Sequence, residues 1–256
     1  MRGAPGLEPR HALHECLSPS VQVSQTIASF EFPRKALPPQ FHHVGPLRFS
    51  RKSAGAAAGA VGIPRSIPLA LLCSLRSAPC RAAAWRSSSA SPVPAARRGV
   101  QLLVAHCGGL NAQQEEALRR AGADWVCAFA PQQEVLARAD AVVSHAGWNT
   151  VMDAIATRTP ILAMPIAFDQ PGAAAARIVH AGIGLRLSPR FASAGQIAGA
   201  LRRLLDDPAF AERMAPLADD LARAGGTARA ADLIEDALGL APAAHAGAEA
   251  GVASLG

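Results

Sequence analysis

The sequence predicts an α/β fold over residues 99–240: a Rossmann-like parallel sheet with helices on both faces. Three observations carry that prediction. Short apolar runs of β character alternate with segments of helical period, and turn or cap residues mark the junctions. The spacing from one run to the next suits right-handed crossovers. Half of the 256 residues are apolar, enough for one large domain or two small ones.

The elements follow in order. Strands are predicted at Val100–Ala105, Trp125–Phe129, Ala141–Ser144, Pro160–Met164 and Gly184–Leu187. Helices are predicted at Ala112–Ala121, Gln133–Ala137, Thr150–Ala156, Pro171–Ala181 and Ala194–Asp206. Two further helices, Pro208–Ala224 and Ala228–Leu238, close the unit, with Gly225-Gly226 as the stop between them.

The flanking segments read differently. Residues 1–48 hold a β-like run, Val21-Gln22-Val23-Ser24, and a Pro-punctuated exit, His43-Val44-Gly45-Pro46-Leu47-Arg48, and look like the end of something larger. Residues 49–98 are rich in Ala, Ser, Arg and Pro, with Ile67–Leu75 as their one strand candidate. They read as a low-complexity, disordered linker, or as folded sequence replaced by out-of-frame translation. The Ala/Gly-rich tail, residues 241–256, is expected to be disordered.

Charge narrows the function classes. The formal net charge is +6, from 25 Lys and Arg against 19 Asp and Glu. Eight of the basic residues lie between Arg51 and Arg98, where there is no acid, leaving 17 basic against 19 acidic residues elsewhere. The basic excess therefore belongs to one stretch whose only aromatic is Trp85, which argues against nucleic acid as a partner. Five widely spaced cysteines without a CxxC pair read as reduced thiols, and no metal or cofactor is expected. No apolar stretch suits a signal peptide or a membrane span, so a cytoplasmic protein is expected. The first regular strand is not followed by GxGxxG, which disfavours a dinucleotide oxidoreductase.

In an open parallel sheet, ligands bind beyond the carboxyl ends of the strands. After Ala141–Ser144 comes His145-Ala146-Gly147-Trp148-Asn149-Thr150. Gly147 suits a sharp turn, Asn149 or Thr150 suits a cap, and the free amides of the helix start suit a phosphate, with His145 at the mouth as a donor. His145 and Trp148 read equally well as packing residues at a strand-to-helix turn. Asp153 falls one turn into that helix, on the face of Asn149 and Thr150, and its carboxylate suits the two hydroxyls of a ribose. After Pro160–Met164, Asp169 and Gln170 open a helix, either as caps or as partners for vicinal sugar hydroxyls. Phe129, before Pro131-Gln132, is placed to stack on a base.

Taken together, Phe129-Ala130-Pro131-Gln132, Ser144 to Thr150, Asp153, Thr159-Pro160 and Pro165 to Gln170 resemble the signature box of the family 1 UDP-glycosyltransferases. The likeness covers roughly residues 16–48 and 99–240, and is strongest to bacterial members that glucosylate carotenoids. It implies the C-terminal half of a GT-B fold, which binds UDP-glucose. It further implies inverting, metal-independent transfer of glucose to a hydroxyl of a lipophilic carotenoid such as zeaxanthin, with peripheral contact at the inner face of the cytoplasmic membrane. Carried over by position, Phe129 stacks on uracil and Gln132 lies beside the nucleoside. His145, Asn149 and Thr150 contact the diphosphate, Gly147 belongs to the same UDP-sugar-binding turn, and Trp148 walls the sugar side. Asp153 takes the ribose in place of the family's usual Glu, and Asp169 with Gln170 holds the hexose. The family's catalytic base belongs to a preceding acceptor domain, so the chain alone is expected to be inactive. The alternative is a non-catalytic nucleotide-sugar-binding fragment or a pseudogene product. Ala146 and Arg158 stand where the box usually has Cys or Gly, and Gly.

Overall fold

A computed structural model describes residues 12–48, 69–73, 100–166 and 170–240. The strands are β1 (Gln22–Ser24), β2 (Phe41–His43), β3 (Leu69–Cys73), β4 (Gln101–Ala105), β5 (Trp125–Cys127), β6 (Ala141–Ser144), β7 (Ile161–Ala163) and β8 (Gly184–Arg186). The helices are α1 (Ala112–Ala121), α2 (Gln132–Leu136), α3 (Trp148–Thr157), α4 (Gln170–His180), α5 (Ala194–Asp206), α6 (Ala209–Arg223) and α7 (Gly226–Ala237).

Six strands form one parallel sheet in the order β5-β4-β3-β6-β7-β8, while β1 and β2 pair in parallel by themselves. Strand order runs outward in both directions from the β3–β6 junction, the doubly wound arrangement in which a crevice opens at the reversal. Alternation along the strands divides the core into two layers. Leu103, Ala105, Val142 and Ile161 face Leu136, Val151, Met152, Ile155, Ile178 and Met214 of α2, α3, α4 and α6. Leu102, Val104, Val143 and Leu162 face Ile197, Leu201 and Leu204 of α5 and Phe210 of α6. Strands buried on both faces explain why these runs are continuously apolar.

The predicted boundary at residue 99 needs correction, because residues 69–73 pair with β4 through Leu69↔Gln101 and with β6 through Ala70↔Ala141. The sheet thus takes its central strand from the Ala/Arg/Ser-rich stretch. The run Leu69-Ala70-Leu71-Leu72-Cys73 carries the five consecutive apolar residues that an interior parallel strand uses. The rest of 49–98, and the tail 241–256, lie outside the described residues. Most regular elements differ from expectation by one or two residues at their ends, the ordinary fraying of strand and helix termini. Trp125–Cys127 is shorter than expected, since Phe129 already belongs to the irregular loop before α2.

The N-terminal segment is bound to this sheet domain. Val44, with Val21 and Val23 packed beside it, meets Ala230 and Leu233 of α7, and Ile27 and Phe30 join the core layer of α3 and α4. Gly225 and Gly226, at φ +87° and +56°, turn the chain between α6 and α7, and the Gly226 amide donates to the Val44 carbonyl at 2.6 Å.

Candidate functional site

A cleft of about 840 Å³ opens beside the β3–β6 junction, a volume typical of small-molecule sites. It is lined by Ser24 and Gln25 after β1, Cys107 after β4, Gln132 at the start of α2, and His145, Gly147, Trp148, Asn149 and Thr150 at the start of α3. Arg177 of α4 and Glu31 close the remaining side. Of the ten residues the sequence singles out, six line this cleft.

The turn between β6 and α3 differs from expectation in two ways. Ala146, at φ +66°, makes the left-handed turn, whereas Gly147 sits at φ −62°, which any residue can adopt. A Cβ at 147 would lie 2.5 Å from Nε2 of His145, whose ring folds back over the turn, so any side chain there would displace that ring. The helix also starts earlier than predicted. Gly147 is its N-cap, with no side-chain cap bond, so neither Asn149 nor Thr150 caps it. The first-turn amides, at the positive end of the helix dipole, therefore remain available to an anion on the cleft.

Burial pushes the His145 imidazole below its ordinary value of 6.5, so the ring is neutral near pH 7. Its Nδ1 is buried without a hydrogen-bond partner, and its Nε2 edge faces Gly147. After β4, Nδ1 of the buried His106 accepts from the Leu110 amide at 3.2 Å, which leaves Nε2 to donate to Glu115 at 3.0 Å and holds the loop that carries Cys107 to the cleft.

Asp153 lies beneath the cleft, 4% exposed, and does not contribute to its wall. Its Oδ1 accepts from Nη1 of Arg48 and, at 2.9 Å, from Nε2 of Gln133; its Oδ2 accepts from Nε2 of Gln132 at 2.6 Å. Gln132 Oε1 in turn accepts from the Thr150 hydroxyl at 3.2 Å. A second paired charge, Arg177 with Glu31 at 2.6 Å, has both side chains nearly buried, and its guanidinium lies 5.7 Å from the Trp148 ring centre. With Asp153 and Glu31 each matched by an arginine, the helix start supplies the attraction for an anion.

The remaining expected residues stand apart. Phe129 is 74% exposed at the end of β5, on the edge of the sheet, and is not among the residues lining the cleft. Asp169 lies outside the described residues. Gln170 opens α4, and β7, which precedes that loop, runs beside β6 in the same direction, so the two strand tips are neighbours. Arg48, Gln133 and Glu31 are site residues that the sequence does not single out. Arg48 and Glu31 reach the site from the segment around β1 and β2, across more than a hundred positions of sequence, and no local period announces them.

The profile of the erythromycin biosynthesis protein CIII-like C-terminal domain matches residues 80–235, more than half of the chain. The chain belongs to that family. Its relatives include the zeaxanthin glucosyltransferases of Pseudescherichia vulneris, 41% identical over 235 residues, and of Pantoea ananas, 42% identical over 236 residues. Each alignment covers 91% of this chain but 54% and 53% of the relative, so the chain spans about half the length of these relatives. Among solved structures, the kitacinnamycin glycotransferase superposes with a TM-score of 0.71 at 27% identity, covering 86% of this chain and 55% of that one. The sheet order and these neighbours give the domain its fold class, the GT-B glycosyltransferase type. Among the described residues no helix is long and apolar enough to cross a membrane.

Proposed function

We propose that this chain is the donor-binding half of a glucosyltransferase that moves glucose from UDP-glucose to a carotenoid hydroxyl, such as that of zeaxanthin. The observation that carries the reading is the uncapped start of α3 on the cleft, at the reversal point of the sheet, in a chain over 40% identical to zeaxanthin glucosyltransferases. In the proposed reaction the acceptor oxygen attacks the anomeric carbon, the bond to the diphosphate breaks on the opposite face, and configuration inverts. Charge gathers on the leaving diphosphate, and the amides of Trp148, Asn149 and Thr150 and an imidazole proton of His145 meet it without needing a metal.

The other roles are proposed on the same footing. Phe129 and Gln132 flank the nucleoside, Asp153 serves the ribose, Trp148 walls the hexose, and Asp169 and Gln170 take its hydroxyls. Because a carotenoid dissolves in lipid, transfer is proposed to occur at the cytoplasmic face of a membrane.

Calorimetric titration of the chain with UDP and UDP-glucose tests the reading. Binding in the micromolar class is expected, weakened about tenfold by His145→Ala, the loss of one hydrogen bond to a charged group. The chain alone, given radiolabelled UDP-glucose and zeaxanthin, is expected to form no product, because the base that the family uses belongs to an acceptor domain. Failure to bind either nucleotide would overturn the assignment. Binding indifferent to His145→Ala would move the nucleotide elsewhere.

A further inference from the structure

The Asp153 carboxylate is already engaged by protein groups. A carboxylate offers about four acceptor positions. Arg48 and Gln133 occupy two on Oδ1, and Gln132 occupies one on Oδ2. One position remains, enough for a single hydroxyl. A vicinal diol held by both hydroxyls therefore needs one of the three donors to leave.

Two of the donors are neutral amides from the first turn of α2, with no charge to carry to a diphosphate: Gln132 is held at both ends of its amide, by Asp153 and by the Thr150 hydroxyl, and Gln133 is exposed. Arg48 is different. Its backbone is anchored by the Thr227 hydroxyl, which donates to its carbonyl at 2.7 Å, while its side chain is 31% exposed. Its Nη2 already donates to the Asn149 carbonyl at 3.1 Å, within the first turn of α3.

Building on the donor-site reading above, we propose that Arg48 is a movable counterion that determines how the nucleotide is held. Ribose hydroxyls replace its guanidinium on Asp153, and the guanidinium passes to the diphosphate at the start of α3. The exchange keeps each charge partnered. Asp153 keeps the two glutamine amides and gains two hydroxyl donors, while the planar fork of Arg48 exchanges a carboxylate for a phosphate, whose geometry it fits equally well. A buried carboxylate that lost its cation with nothing in return would be strongly destabilised, so the handover is concerted with nucleotide binding.

Uridine and UDP separate the two halves of the exchange, because uridine competes with Arg48 for Asp153 but offers it no phosphate. For Arg48→Ala, uridine is expected to bind about fivefold tighter and UDP about tenfold weaker, as one charged hydrogen-bonded contact is lost. The preference of the chain for UDP over uridine then falls about fiftyfold, measured by titration at fixed salt. An unchanged preference, with both ligands affected alike, would overturn the proposal and make Arg48 a structural strut. Should Arg48→Ala not fold, Arg48→Lys carries the test: a point charge keeps Asp153 partnered but lacks the fork, and the preference falls about threefold. An unchanged preference there is equally fatal. If the native chain binds UDP but these variants leave the preference intact, only the Arg48 proposal fails. If the native chain binds neither ligand, the donor-site reading fails with it.

Discussion

The starts of α1 and α5 and the start of α3 meet the same physical demand in opposite ways. Asn111 and Ser193 each accept the amide proton three residues on, from Gln114 and Gln196, whose side chains accept from the cap amides in return. These reciprocal boxes satisfy amides that a helix start leaves orphaned. α3 begins at Gly147, which has no side chain to do so. It is stabilised instead by burial, with Val151, Met152, Ala154 and Ile155 at most 1% exposed between the sheet and α6. A helix held by its flank can leave its end free for a ligand, whereas the more exposed α1 is secured by its cap.

Exchanging the two solutions gives the largest expected effect. Gly147→Asp would place a capping carboxylate on the α3 amides and push the His145 ring away. UDP affinity is expected to fall about 100-fold or more, since like charges would be juxtaposed in the cleft. Titration against the native chain checks it, and retention of affinity would refute an anion site at this helix start. The converse change, Ser193→Ala, removes the α5 cap. It is expected to cost about 1 kcal/mol in urea unfolding, with UDP affinity unchanged.

The far end of α3 gives a smaller effect of opposite sign. Arg158 holds φ +57° at the C-cap, and its exposed pairing with Asp219 at 3.3 Å adds little. Arg158→Gly is expected to stabilise the chain by about 0.5 kcal/mol, relief of left-handed strain offset by glycine entropy. The smallest effect concerns pH. Burial lowers both His43 and His145 from 6.5, so below that pH the unfolded chain takes up protons that the folded chain refuses. Their contribution is fully present above about 6.5 and is lost as the pH falls below it, because stability rises with pH wherever the unfolded state binds more protons. Melting temperatures between pH 7 and 5 should fall, and His145→Asn should flatten that slope while leaving the His43 share.

Local pattern made α1, β6 and α5 readable to the residue, because Asn111 and Ser193 announce their helices and Ala141–Ser144 is a continuous apolar run. The order of the box from Gln132 to Asp153 was readable for the same reason: those residues sit at strand ends and helix starts, where type and position go together. The β3 strand was harder. Its five apolar residues stand in a stretch whose composition resembles a linker, and only the ladders to β4 and β6 on either side give it its central place.

Sequence alone determined the alternation of strand and helix, the family box and the helix starts that could receive an anion, because hydrophobic period and capping act over a few residues. Tertiary structure decided what Asp153 touches, which residue makes the turn before α3, and that Phe129 stands outside the cleft wall. The hydrogen-bonding capacity of a buried carboxylate is filled by whichever donors the fold brings within 3 Å. One of those donors, Arg48, arrives from 105 positions away along a segment that packs against α7, and no local rule reaches that far.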